Sequence, residues 1–306
     1  MDKRRLDLLV DFLIDAKGLG MEYQYDATYT VEQAFRARKA NCLSFTLVFL
    51  ALAREAGLVA YAQEIEETLA WHQSENTIYR INHINAGIRV DGRRFTVDVG
   101  GDAAIALHHP RPVSDQRALA HYYNNRAAEL MAQGKVTAAM PYMQTAIELD
   151  PVYATTWSNA GVLYLRNGDL VAAERAYARA LSLNPFHAGA LSNMVGLYKR
   201  TGERTHEADF HRRLEKVQRK DPFHQFLLAV DYEKHGDYRR AASHYQRAIR
   251  LHGTEHRFHF GLARAYLQLG DTRRAGLALA RAHALSDDGT RDLYQAKLDR
   301  LQRESQ

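Results

Sequence analysis

Apolar and small residues return along the second half of the chain with a period of 34. The set Trp157, Ala160, Gly161, Tyr164, Gly168, Ala173, Tyr177, Ala180 and Pro185 recurs at a shift of 34 in both directions. The clearest series is Gly134, Gly168, Gly202, Gly236 and Gly270. Beside it run Ala139, Ala173, Ala241 and Ala275, with Glu207 the one departure, and Ala146, Ala180, Ala248 and Ala282, with Leu214 at the third copy. Each copy predicts two antiparallel helices. Small residues let the pair approach, glycine turns the chain, and large residues (Leu130, Tyr164, Tyr198, Tyr232, Tyr266) fill the gaps between neighbours. One pair cannot bury its apolar face alone, so the copies must stack into a solenoid. Residues 290–306 keep helical periodicity through Leu293, Leu298 and Leu301 with a polar opposite face, which predicts a capping helix.

The first 115 residues follow another pattern. Thr30-Val31-Glu32-Gln33 reads as a capping box opening a short helix through Phe35. A nearly unbroken apolar run then extends from Leu43 through Phe45, Leu47–Leu50 and Ala53 to a stop at Gly57, predicting a buried central helix. Asn41 is a good N-cap, so Cys42 falls in the first turn, where the helix dipole and free N–H groups favour a thiolate. An inert buried cysteine is the competing reading. Residues 58–65 predict a strand and 81–100 a hairpin turning at Asp91-Gly92. Pairing Val90 with Arg93 sets His83 opposite Gly100, with Asp98 diagonal to it and Asn85 on the same face. Ile84, Ala86, Ile88, Val90, Phe95, Val97 and Val99 take the other face. Asp102 shares the parity and ranks second as an acid, while Trp71 and His72 either rim the cleft or pack elsewhere.

Two resemblances follow from these residues. The 34-residue register resembles the tetratricopeptide repeat, in five copies starting at 120, 154, 188, 222 and 256. By that resemblance the concave groove is lined by the second, fifth, ninth, twelfth and thirteenth positions of each first helix. Here these include Arg166, Lys199, Arg200, Phe223, Phe226, Lys234, Phe260 and Arg264. Aromatics among cations suit an extended, acidic protein or peptide; the alternative is that some Phe residues pack between repeats. A two-carboxylate clamp for chain termini is not supported, because the consensus Asn of the ninth position is Ala128, Val162 and Gly196. Separately, Ala40-Asn41-Cys42-Leu43-Ser44, Asn82-His83-Ile84-Asn85 and Val97-Asp98-Val99 resemble the bacterial transglutaminase-like cysteine peptidase superfamily over residues 25–105. That resemblance implies Cys42 as nucleophile, His83 as base and Asp98 as orienting acid, with the Cys42 N–H donating to an oxyanion.

The expected architecture is therefore an α+β N-terminal domain over 1–115, papain/transglutaminase-like with a central helix against an antiparallel sheet. An all-α tetratricopeptide solenoid over 116–289 and a cap over 290–306 follow. The expected activity is thiol-dependent hydrolysis of a peptide or amide through a Cys-His-Asp triad, the solenoid recruiting a protein partner. The alternatives are an interaction scaffold with a silent first domain, or an amine acyl transferase.

Composition narrows this further. Hydrophobic residues form 46% of 306 and charged residues 25%, the balance of a folded globular chain. No run approaches the roughly 18 apolar residues of a membrane span. The basic start acquires Asp7, Asp11 and Asp15 before any apolar stretch and does not read as a signal peptide. Relatives with this domain pairing often carry an export signal, so the resemblance implies the cell envelope if one was trimmed; otherwise the cytoplasm is expected. One cysteine excludes an internal disulfide. Residues 1–117 carry a net charge of −2 and the remainder +7, a mild field that leans to acidic partners rather than nucleic acid. His252, His256 and His259 have near-helical spacing, but Gly253 breaks the turn and no ligand set is completed, so solvent-facing histidines, no metal and no cofactor are expected.

Overall fold

The computed structural model describes residues 2–24, 26–65, 68–70, 73–74, 77–78, 83–98, 104–106, 110–286 and 288–304. It divides into two compact units, 1–210 and 211–306.

The first unit begins with α1 (Asp2–Ile14), β1 (Glu22–Tyr23), α2 (Val31–Ala37), β2 (Lys39–Ala40) and α3 (Cys42–Glu55). The strands β3 (Val59–Ile65), β4 (Thr68–Ala70), β5 (Gln73–Ser74), β6 (Thr77–Ile78), β7 (His83–Val90), β8 (Arg93–Val97), β9 (Ala104–Ala106) and β10 (Arg111–Pro112) follow. Four of them form one antiparallel sheet in the order β10-β3-β7-β8. The β7–β8 ribbon turns at Asp91-Gly92, both in the left-handed region, and pairs Val90 with Arg93 and Ala86 with Val97. That is the register expected of a two-residue turn with positive φ at both positions.

Helix α3 is central because it is apolar on almost every side. Leu43, Phe45, Val48, Phe49, Leu50 and Ala53 are buried against Ala60 and Ala62 of β3 and the Ile84, Ala86, Ile88 and Val90 row of β7. Its start is capped by Asn41, whose Oδ1 accepts from Ser44 N at 2.9 Å, and Gly57 follows its end at φ 75°. The capping box of α2 is complete, with Gln33 N donating to Thr30 Oγ1 and Thr30 N to Gln33 Oε1. Helix α1, for which the pattern gave no expectation, adds Leu6 and Leu13 to the same core.

Helical hairpins continue the unit: α4 (Asp115–Ala132) with α5 (Val136–Leu149), α6 (Ala154–Arg166) with α7 (Leu170–Leu183), and α8 (Ala188–Thr201) with α9 (Arg204–Arg219), the last crossing the division between the units. Ser114 caps α4, so this helix starts at Asp115, five residues before the predicted repeat boundary at 120. The extra turn has a purpose in packing. Ala118 and Tyr122 of α4 join the core around α3, so α4 is both the first repeat helix and a wall of the α+β domain.

The second unit holds α10 (Pro222–Lys234) with α11 (Tyr238–Leu251), α12 (His256–Gln268) with α13 (Thr272–Leu285), and the closing α14 (Asp288–Glu304). Gly236 and Gly270 turn the chain within its two hairpins at φ 77° and 75°, angles that an L side chain adopts only under strain. Phe223 and Phe226 of α10 pack on Phe258 of α12 at ring separations of 5.9 and 5.1 Å.

Candidate functional site

Cys42 is the first residue of α3 and is buried. The segment at its back is a small polar network. Asn41 Nδ2 donates to Thr28 Oγ1 at 2.8 Å, Ser44 Oγ donates to the Ala27 and Tyr29 carbonyls, and Tyr29 N donates to Ser44 Oγ at 2.8 Å. Thr46 Oγ1 donates to the Cys42 carbonyl at 2.7 Å and lies 3.4 Å from the Ile84 carbonyl of β7. Buried polar atoms cost free energy unless paired, so such a network holds the start of α3 in one geometry. The network reaches the repeats through Glu129 of α4. Burial pushes the Glu129 carboxyl above its ordinary range, opposed by the hydrogen bond from Thr28 and by Arg126.

On the sheet, Asn85 Nδ2 donates to Asp98 Oδ2 at 3.2 Å, as the extended β7–β8 register requires. Asn85 is itself buried, and its Oδ1 has no hydrogen-bond partner among the described residues. The His83 backbone opens β7 opposite Ile65. The His83 side chain, Asp102, Trp71 and His72 lie outside the described residues, as do Val99 and Gly100.

A second polar cluster joins β3 to the first hairpin. Glu64, buried on β3, has its Oε1 3.4 Å from His121 Nε2 and its Oε2 3.8 Å from Arg117 Nε. Arg117 also pairs with Asp150 at 3.1 Å and lies over the Tyr153 ring at 4.1 Å, while Tyr153 Oη and His121 Nδ1 are 3.2 Å apart. Burial alone would push the Glu64 carboxyl up. The close approach of His121 and the charge of Arg117 outweigh it and hold the carboxyl below its ordinary range. At the surface, Arg54 makes a bidentate pair with Asp115, both contacts 2.8 Å. Reading the chain alone missed this seam, although a glutamate at an inward strand position asks for a cationic partner.

The residues expected in the groove fall into distinct groups. Lys199, Arg200 and Lys234 are exposed, on α8 and α10 respectively. Arg166 is exposed and donates to the Met131 carbonyl of the preceding first helix. Arg264 pairs with Glu233 at 2.7 Å. Two aromatics depart from the expectation: Phe223 and Phe226 are 2% and 7% exposed, because Phe258 and Tyr245 occupy the space around them. They pack between helices and offer nothing to a partner. Phe260 is half-covered by Tyr294 of α14, stacked at 4.9 Å, with Arg264 and Lys297 over its ring. His259 departs from the expected solvent exposure as well. It is buried, with Nε2 3.0 Å from the Gly253 carbonyl, and burial together with the Arg281 charge lowers its pKa against the pull of that carbonyl.

With this geometry in place, comparison with known proteins is informative for the helical part. Residues 117–188 and 226–289 match the tetratricopeptide repeat family model, so this part of the chain carries tetratricopeptide repeats. Among solved structures, MamA (residues 41 to the end) from Desulfovibrio magneticus RS-1 is 17% identical over 56% of this chain and 96% of that one, with a TM-score of 0.32. YrrB, a TPR protein described as having an unusual peptide-binding site, is 18% identical over 58% and 92%, with a TM-score of 0.31. Scores of this size add no support, and the repeat assignment rests on the family match and the hairpin register. No match is found among curated proteins. Among the described residues, no helix is long and apolar enough to cross a membrane.

Proposed function

We propose that this chain is a protein-interaction scaffold in which a repeat array holds a partner polypeptide, with an α+β domain built onto its first helix. The observation that carries the reading is the family match to tetratricopeptide repeats over two stretches of the helical part, repeats whose groove takes peptides or proteins. Helix α8 supports it locally. Gly189, Ser192 and Gly196 are exposed along one line and leave its backbone approachable, and Lys199 and Arg200 stand exposed at the same helix's end. An extended segment laid along such a helix is held by contacts to its main chain, and its carboxylates by the two cations. We read 1–115 as the α+β domain, 116–289 as the repeats and 290–306 as the cap. Affinity purification of the chain from its own cells tests the reading, comparing wild type with Lys199→Glu/Arg200→Glu. A protein retained by wild type and lost by the variant supports it; an identical set from both refutes the groove.

A second reading is a thiol hydrolase, favoured by Cys42 at a capped helix start and by Asp98 beside Asn85, two residues along β7 from His83. In it, His83 takes the Cys42 proton and the thiolate attacks a carbonyl carbon. The imidazolium then protonates the leaving amine, and water hydrolyses the thioester. Acyl transfer differs only in that an amine replaces the water. The pH dependence of Cys42 alkylation by iodoacetamide, in wild type and His83→Ala, separates the readings. Rapid labelling near neutral pH that slows without His83 supports the enzyme, and slow labelling indifferent to His83 removes it.

A further inference from the structure

The positive charge of this chain is concentrated. Residues 1–210 carry 22 basic and 24 acidic residues, whereas 211–306 carry 19 and 12, so the whole excess belongs to the second unit. Within that unit it gathers on the second helices of the hairpins. Helix α11 holds Arg239, Arg240, Arg247 and Arg250, and α13 holds Arg273, Arg274 and Arg281, with no Asp or Glu in either helix. All seven are exposed. Three recur at the repeat spacing (239 and 273, 240 and 274, 247 and 281), so the stacked helices present a ladder of guanidinium groups.

The N-cap carboxylates account for part of this charge, Asp237 pairing with Arg240 at 3.5 Å and Asp271 with Arg274 at 3.4 Å. Among the described residues no carboxylate pairs with Arg247, Arg250 or Arg281. Between α11, α12 and α13 the surface dips into a hollow of about 400 Å³. Its apolar lining includes Ile249, Leu262, Leu277 and Ala278, and Arg250 and Arg281 stand at it. Leu277 is 66% exposed and continues the apolar lining of the hollow out to the surface.

We propose that this hollow and its arginines form a docking face for an acidic protein segment that carries an aliphatic anchor. The charge selects the partner's sign, because Arg250 and Arg281 at the hollow pair with no carboxylate among the described residues and their field favours an arriving one. The aliphatic lining selects a polypeptide, since leucine-type side chains fill it and add burial that salt does not screen. A nucleic acid would match the charge and leave Ile249, Leu262 and Leu277 without a counterpart. The volume suits one or two side chains, as at the small end of ligand pockets of about 300–1,000 Å³. This face is carried by the second helices α11 and α13 with one side of α12 between them and uses none of Lys199, Arg200 or the rest of α8, so it goes beyond the scaffold reading and stands or falls separately.

The test uses the full chain and fluorescence polarisation. The probe is a labelled helical peptide with leucines at i, i+4 flanked on the same side by glutamates, set against the same peptide with serine for leucine and an oligo-dT of matched charge. Arg250→Glu/Arg281→Glu should weaken the leucine peptide about tenfold, and Leu277→Ser several-fold. Lys199→Glu/Arg200→Glu should leave binding within about twofold. All substituted residues are exposed, and circular dichroism checks that each variant is folded. Four results overturn the proposal: no binding of the leucine peptide at low salt, equal binding of the serine peptide, stronger binding of oligo-dT, or loss confined to the Lys199/Arg200 variant. The last would sink this face while strengthening the first-helix groove.

Discussion

Gly161→Ala should destabilise the protein, whereas Gly196→Ala should stabilise it, although both glycines lie inside first helices. At Gly161 a Cβ would sit 2.3 Å from Cε1, 2.4 Å from Cδ1 and 2.9 Å from Cζ of Tyr177. Carbon atoms rest at about 3.5–4.0 Å, so the ring must retreat by more than about 1 Å. It has nowhere to go: Tyr177 is fully buried on α7, burial pushes its hydroxyl up to about 12, and the hydroxyl has no partner among the described residues. Overpacking of this kind costs about 1–3 kcal/mol, and the tight fit argues for the upper end. Against that, removing a helix-interior glycine returns about 1 kcal/mol, so the net loss is about 2 kcal/mol. At Gly196 nothing lies within 4 Å of the added methyl, and the same propensity gain stands alone. Urea unfolding followed at 222 nm should therefore separate the two variants by about 3 kcal/mol. The chain has more than one unit, so midpoints are compared rather than a single extrapolated free energy. In a Tyr177→Leu background the Gly161→Ala penalty should largely vanish. Equal midpoints for the two variants, or a penalty unchanged by Tyr177→Leu, would refute the reasoning.

Other expectations follow from the polar seam and the thiol. Glu64 is held below the ordinary glutamate value of 4.5, so it contributes stability above that pH. The contribution is lost as pH falls through the lower folded value, because the unfolded chain takes up the proton first; Glu64→Gln should flatten that limb of the acid-unfolding curve. Tyr245→Phe removes a 2.6 Å hydrogen bond to Glu233 in the core of the second unit and should cost about 1–2 kcal/mol by thermal unfolding. Asp115→Ala breaks the Arg54 pair at an exposed site and should cost no more than about 1 kcal/mol. Cys42→Ala should keep the full helical signal and lose all iodoacetamide labelling; a collapse of the helical signal would make Cys42 a packing residue.

Local rules were legible in the sequence, and facing relations were not. Asn41, Thr30 and the Asp91-Gly92 turn act within a few residues of themselves, so their caps and register could be read directly. The 34-residue spacing located the hairpin turns because glycine's left-handed φ is a local demand as well. Helix α4 shows the limit. Its repeat pattern announces one buried side, but Ala118 and Tyr122 are covered by the core around α3, whose position no spacing within the helix reveals. Phe223 and Phe226 fail for a related reason: a large apolar residue at a groove position turns inward when Phe258 and Tyr245 leave room for it. The thiol site is half legible, since Asn41, Cys42 and the Asn85–Asp98 contact could be placed by capping and register. The Thr28–Glu129 link depends on an encounter between distant segments.

The double duty of α4 has a consequence for anyone dissecting this chain. A cut at 115/116 reads as a clean boundary, yet a fragment starting there would carry Ala118 and Tyr122 bare, together with Arg117 and His121 stripped of Glu64. A fragment ending there would leave the hydrophobic wall of α3 uncovered. The smallest separable pieces should therefore overlap, with α4 included in both, and swapping repeats from another protein would have to begin after Ala132 to leave the first domain whole.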